Sequence, residues 1–147
     1  MSTGGLLAGP IIVGVDGSAN AERALAVAAR LGVALGVEVR AVHALGMMTT
    51  IAGHKVPSHD HRTEIEQCLD EQWCAPLAAI DGLRWSAELR DGNPAEVLLH
   101  LASDIGAGMI VVGARGVGGD PDLMLGSTSH HVVHHGACPT VVVPPDR

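Results

Sequence analysis

Short apolar runs alternate with longer amphipathic ones along this chain. Ile11-Ile12-Val13-Gly14-Val15 lies between Pro10 and Asp16-Gly17-Ser18, which predicts a buried strand over 11–15 ending in a turn. Ser18 or Asn20 can cap a helix over 21–35, rich in alanine and leucine and stopped by Gly36. Val37 and Val39 alternate against Glu38 and Arg40, predicting a second strand over 37–45. Residues 46–60 show no period and are expected to form a long mobile loop. Ile65, Leu69, Trp73, Leu77 and Ile80 make an apolar stripe that predicts a helix over 61–80, kinked or interrupted at Pro76. Trp85, Ala87 and Leu89 share one face of a third strand over 83–90. Asn93-Pro94 followed by Glu96 is a helix-start signal, here for a helix over 94–105 closed by Gly106 or Gly108. A fourth strand over 109–112, a helix over 127–135 closed by Gly136, and a fifth strand over 140–143 complete the series.

Strands and helices therefore alternate, which calls for a parallel sheet covered on both faces. The expectation is a single α/β domain over 1–147, of which residues 1–9 are a loose leader. It would be an open, Rossmann-like sheet of five strands. If the strand order is 3-2-1-4-5, the order reverses between the first and fourth strands, and ligands of open α/β sheets bind at that reversal. The first strand ends at Asp16 and the fourth at Gly113, so two turn signals converge on one crevice.

The segment Gly113-Ala-Arg-Gly116, nine residues, then Gly126-Ser127-Thr128 carries the clearest chemistry. It reads strand, glycine loop, helix start. Glycine lets a ligand approach the main chain closely, and a helix N-terminus presents unpaired N–H groups and partial positive charge to an anion. Ser127, Thr128 and Ser129 add hydroxyls at the same point. The pattern points to a nucleotide phosphate. A Walker A loop is absent, because Lys55 is followed by Val56, and the first strand's turn lacks the dinucleotide spacing.

Composition narrows the partners. The net charge of −7, a single lysine and the absence of Phe and Tyr argue against nucleic acid, which needs basic clusters and stacking faces. No apolar run approaches membrane-spanning length and no charged secretory start is present, so a cytoplasmic setting is expected. Cys68, Cys74 and Cys138 are expected to be reduced, small apolar fillers.

These motifs carry a family resemblance. Gly113-x2-Gly116-x9-Gly126-Ser127 resembles the nucleotide motif of universal stress proteins. Val13-Gly14-Val15-Asp16-Gly17-Ser18 is similar to their first strand and loop, and Asp91-Gly92-Asn93-Pro94-Ala95 to the turn before their third helix. Leu125 to Ser129 and Cys138-Pro139-Thr140-Val141-Val142-Val143 resemble the start of their last helix and their last strand. The resemblance implies the ATP-binding branch of the family and a homodimer paired through Thr140–Val143. It implies a nucleotide site made of Gly14, Val15, Asp16, Ser18, Val42, Gly113, Arg115, Gly116, Gly126, Ser127 and Thr128. Asp16 would meet the ribose or a metal, Val42 the adenine through its backbone, Gly113, Arg115 and Gly116 the ribose and phosphates, and Gly126 to Thr128 the phosphates. Adenine would rest mostly on aliphatic side chains. Asp120 and Asp122, within the glycine loop, would make ATP binding depend on Mg²⁺.

The function implied is an ATP-binding regulator or switch of a stress response. Alternatives are a slow ATPase or nucleotidyl-transfer enzyme in the same crevice, and a dimeric interaction module with a vestigial site. No nucleophile, base and orienting group stand out as a catalytic set. His130 and His134, like His131 and His135, have a spacing that can hold zinc, but no third ligand is evident, so no metal site is assigned there.

Overall fold

Ile11, Ile12 and Val13 are 1%, 0% and 0% exposed, so the strand Ile11–Gly14 (β1) has no polar face and belongs in the middle of a parallel sheet. The computed structural model places it there. The structure describes residues 8–46, 48–115 and 125–146, and for 48–50 the backbone alone. Ser18 is the cap of α1 (Ala19–Leu35), its Oγ accepting the Ala21 N–H at 3.1 Å. The left-handed Gly36 (φ 67°) ends that helix, and the Val37 N–H turns back to the Gly32 carbonyl at 3.1 Å. Val37 thus belongs to the helix stop, and β2 begins two residues later than its alternation predicts, as Val39–Leu45.

The segment expected to be a mobile loop contains a hairpin instead, β3 (Met48–Ile51) paired antiparallel with β4 (His54–Pro57). Its turn is Ala52-Gly53, with φ of 50° and 81°, the positive pair that a two-residue primed turn requires. Strands of four residues are too short to show a period, and Ala-Gly is not the usual turn dipeptide. A 3-10 turn follows over His59–His61.

The helix expected over 61–80 is broken into α2 (Arg62–Gln67), a π-helical stretch (Cys68–Trp73) and α3 (Ala75–Ala78). The Cys74 N–H bonds the Leu69 carbonyl at 3.1 Å, the i to i−5 bond of a π turn, and Pro76 stands in the first turn of α3, where its missing N–H is tolerated. The stripe survives the break: Ile65, Leu69 and Leu77 are buried, and Trp73 and Ile80 pack against the same core. Cys68 and Cys74 are both buried.

β5 (Trp85–Asp91) leads to α4 (Pro94–Ile105), β6 (Met109–Gly113), α5 (Ser127–His135) and β7 (Thr140–Val143). The parallel sheet runs β5-β2-β1-β6-β7, which is 3-2-1-4-5 when its own strands are counted. One face packs Val13, Ala41 and Val111 against α1 and against Leu69 and Leu77. The other packs Ile12, Val42 and Ile110 against Leu98 and Leu101 of α4 and Val132 of α5. Among the described residues no helix is long and apolar enough to cross a membrane.

Candidate functional site

β1 pairs with β2 on one side and β6 on the other, so the strand order reverses between the carboxyl ends of β1 and β6. The two ends are built differently. At the end of β1 nearly every polar group has a protein partner. The Val15 N–H donates to the Val42 carbonyl at 3.0 Å, and the Val15 carbonyl accepts from His43 Nδ1 at 2.6 Å. Asp16 Oδ1 accepts the Ser18 N–H at 2.9 Å, and Ser18 Oγ caps α1. Gly14 closes the β1 ladder opposite Val42, close under Leu98. Gly17 (φ 81°) lies under the Trp73 indole, where a Cβ would stand 2.7 Å from the ring.

Val42 differs from expectation. Its carbonyl is taken by Val15, its side chain is 2% exposed within the α4-side core, and the ladder with β1 ends at this residue. The next β2 residue facing the same side is Ala44, beyond the ladder.

At the end of β6 the arrangement opens. The first helical bond of α5 runs from the His130 N–H to the Gly126 carbonyl at 3.0 Å, so the N–H groups of Ser127, Thr128 and Ser129 have no intrahelical acceptor. The residue at the cap is glycine, and no side chain caps the helix. The Gly126 N–H itself donates to the Ala114 carbonyl, and the Ser129 hydroxyl donates to that carbonyl at 2.9 Å. Ser129, counted among the hydroxyls at the helix start, is 1% exposed and works as an internal staple. Ser127 and Thr128 remain at the mouth. Arg115 follows Ala114, the residue whose carbonyl holds Gly126 and Ser129; its Nε is buried without a hydrogen-bond partner. An unpartnered guanidinium nitrogen and an uncapped helix start suit a phosphate. Gly116, Asp120 and Asp122 lie outside the described residues.

Asn20 fixes this geometry. It is 7% exposed, donates through Nδ2 to the Val143 carbonyl at 2.9 Å and accepts the Arg115 N–H through Oδ1 at 2.8 Å. One side chain on α1 therefore joins the end of β7 to the loop after β6. It fits because Gly113 has no side chain; a Cβ there would stand 2.9 Å from Asn20 Cγ. From sequence Asn20 reads only as an alternative cap for α1. The signal that could have found it is redundancy, since Ser18 already serves that role.

His43 is the second residue that sequence reasoning missed. It is 3% exposed, packs edge-on against Trp73 with ring centres 5.2 Å apart, and is held below its usual range by burial, with the Val15 carbonyl bond and the Asp16 charge opposing that shift. Trp73 thus packs against both His43 and Gly17 at the β1 end of the crevice. Its packing role and its apolar stripe position were visible, but the approach to β1 depends on the π turn.

Beside this turn a cleft of about 340 Å³ opens on the α1 side, lined by Gly17, Ser18, Ala21, Trp73 and Pro76 and reached by the hairpin tip at Gly53. It flanks the crevice and includes neither Gly113 nor the start of α5. The three thiols are all shifted away from the thiolate form. Burial, followed by the Asp70 charge, pushes Cys74 up to about 12, and burial also raises Cys68 and Cys138.

A doubly wound α/β sheet with an anion-suited helix start at its reversal point defines the class. The chain belongs to the universal stress protein family, whose model matches residues 8–144. It is similar to a universal stress protein encoded 3′ of a QAH/OAS sulfhydrylase gene in Thermus aquaticus, 35% identical over 134 residues, covering 90% of this chain and 96% of that one. Among solved structures, a universal stress protein from Archaeoglobus fulgidus in complex with dAMP superposes with a TM-score of 0.67 at 25% identity, covering 91% of this chain and 96% of that one. A universal stress protein in complex with cAMP shares the fold with a TM-score of 0.70 at 22% identity, covering 92% and 96% of the two chains.

Proposed function

We propose that this protein binds an adenine nucleotide, ATP with Mg²⁺ foremost, in the crevice between β1 and β6, and acts as a nucleotide-dependent regulator in a stress response. The observation that carries the reading is the uncapped start of α5, tied through the Ala114 carbonyl to a loop whose next residue, Arg115, has an unpartnered Nε. Family membership and the dAMP complex of the Archaeoglobus relative support the ligand class. In this reading Ser127 and Thr128 hold phosphate through N–H and hydroxyl groups, and Arg115 neutralises it. Gly113 and Gly116 allow close approach, and Asp16 meets the ribose or the metal. Base contact falls at Ala44, past the end of the ladder, in place of Val42. Mg²⁺ supplies the charge that lets a triphosphate lie near Asp120 and Asp122.

Nucleotide binding would favour one ordered arrangement of the β6–α5 connection, a surface that a partner can read. A homodimer paired through β7 is part of the reading, supported by its place at the sheet edge with Val141 and Val142 only half-buried. So is a cytoplasmic setting, supported by the free cysteines Cys68, Cys74 and Cys138.

Calorimetric titration of nucleotide-stripped protein with Mg·ATP, AMP and cAMP tests it. Binding weakened on the order of tenfold to a hundredfold by Arg115→Gln is the expected result, the loss of a charged hydrogen bond. Absence of heat and of thermal stabilisation with all three nucleotides, in folded wild-type protein, refutes it.

A further inference from the structure

The outer face of α5 carries an arrangement that phosphate binding does not use. His130 and His134 have ring centres 4.4 Å apart, and His131 and His135 have theirs 4.6 Å apart. His134 and His135 are 6.4 Å apart. All four rings are exposed, while Ser129 and Val132 of the same helix face the core. At 3.6 residues per turn the four occupy one continuous arc of roughly 140°. The partial negative charge at the helix C-terminus gives a reason for His134 and His135, which stand in the last turn. It gives none for His130, which closes the first turn, or for His131 at the middle of the helix.

We propose that the two i,i+4 histidine pairs of α5 are bidentate sites for a late first-row divalent ion such as Zn²⁺ or Cu²⁺, with water completing the coordination. Imidazole nitrogen suits these ions, and the lack of a carboxylate in the pairs disfavours Mg²⁺ and Ca²⁺. An ion about 2.0–2.1 Å from each nitrogen sets two ring centres roughly 5 Å apart, close to the spacings already present. Among the described residues no group of three or more His, Cys, Asp or Glu side chains converges to hold an ion. The sites are therefore open, with exchangeable positions. Each bound ion clamps one turn of α5, from His130 to His134 or from His131 to His135. The inference rests on α5 alone and needs no nucleotide.

The test titrates Zn²⁺, then Cu²⁺, into the chelator-treated, nucleotide-free full chain, followed by calorimetry and by the rise in melting temperature. Bidentate binding predicts that His134→Asn weakens the His130 site as thoroughly as the double change H130N/H134N, by on the order of a hundredfold, because the second ligand acts at high effective concentration. Binding at His131 and His135 survives both changes and is removed by H131N/H135N. Circular dichroism checks that the exposed substitutions leave the helix intact. The variant H54N/H59N/H61N, altered around the hairpin, retains full binding. Losses that simply add, histidine by histidine, would mean independent surface imidazoles and overturn the proposal. So would wild-type binding no stronger than that of the fourfold α5 variant, or binding that disappears with the hairpin variant.

Discussion

Helices α4 and α5 pack on the same face of the sheet and both start at its carboxyl end, yet their first turns are made differently. α4 is closed by its own sequence. Asn93 Oδ1 accepts the N–H groups of Ala95 at 3.0 Å and Glu96 at 3.3 Å, and Pro94 removes a further donor. α5 has Gly126 at the cap, in the same extended region of backbone space (φ −75°, ψ 173°), and no side chain to close its first turn. The same fold thus contains a helix start finished as structure and one left for an outside acceptor. A Gly-Ser-Thr start is poor capping chemistry and good anion chemistry, and the difference locates the site more sharply than the glycines alone.

The comparison can be broken most forcefully through the frame that holds the α5 side open. Gly113→Val places a Cβ 2.9 Å from Asn20 Cγ and 3.1 Å from its backbone, so Asn20 must move and its bonds to Arg115 and Val143 are disturbed. A stability loss of about 1–3 kcal/mol is expected from overpacking, read as a lower urea midpoint. Asn20→Ala, which leaves the buried Val143 carbonyl without its donor and the Arg115 N–H without its acceptor, should cost a similar amount, about 1–3 kcal/mol. If both variants keep wild-type stability, Asn20 is not the joint that the geometry indicates.

A finer change makes α5 resemble α4. Gly126→Asp puts a capping carboxylate where the backbone already has cap geometry. Stability should rise by a few tenths of a kcal/mol, while Mg·ATP affinity falls at least about tenfold, since the carboxylate occupies the anion position and repels phosphate. The two measurements should move in opposite directions; affinity unchanged in a stabilised protein would place the phosphate elsewhere. The reciprocal change, Asn93→Ala, is expected to cost about 1 kcal/mol of stability and to leave nucleotide affinity as it was, checked by denaturation and calorimetry on one preparation.

These pairs also mark what the sequence made legible. The α4 start was readable because its capping residues are local and of distinctive type. The β1 and β6 runs were readable because strands buried on both faces are continuously apolar. What lay hidden depends on contacts distant in sequence. Asn20 meets Val143 across 123 positions, and nothing near Asn20 announces that partner. The break in the helix expected over 61–80 was half visible in Pro76, but the π turn before it was not, because five residues of apolar stripe suit an α-helix equally well. The hairpin escaped because its turn puts an alanine at positive φ. For Val42, the strand position was predicted correctly, but which side of the ladder its carbonyl faces follows from register, and register is set by pairing.

The β1 end offers the mildest test, and it concerns acidity. His43 is buried and held by the Val15 carbonyl, so Nδ1 carries the proton and the ring is neutral in the folded protein. Its pKa is lowered from 6.5, burial being the largest cause. Above pH 6.5 both folded and unfolded chains hold a neutral ring, and this residue contributes no pH dependence. Below that, the unfolded chain takes up a proton that the folded chain refuses. Stability therefore declines as pH falls through 6.5 and levels off once the folded pKa is passed. His43→Gln removes the titration and keeps a group able to donate to Val15. The variant should be less stable at pH 7.5, and the gap between the two proteins should narrow between pH 6.5 and 5, followed by urea midpoints. Stability curves that stay parallel across that interval would mean that the β1 turn tolerates the charged ring, with Asp16 compensating it, and that the closed end of the crevice is less closed than its hydrogen bonds suggest.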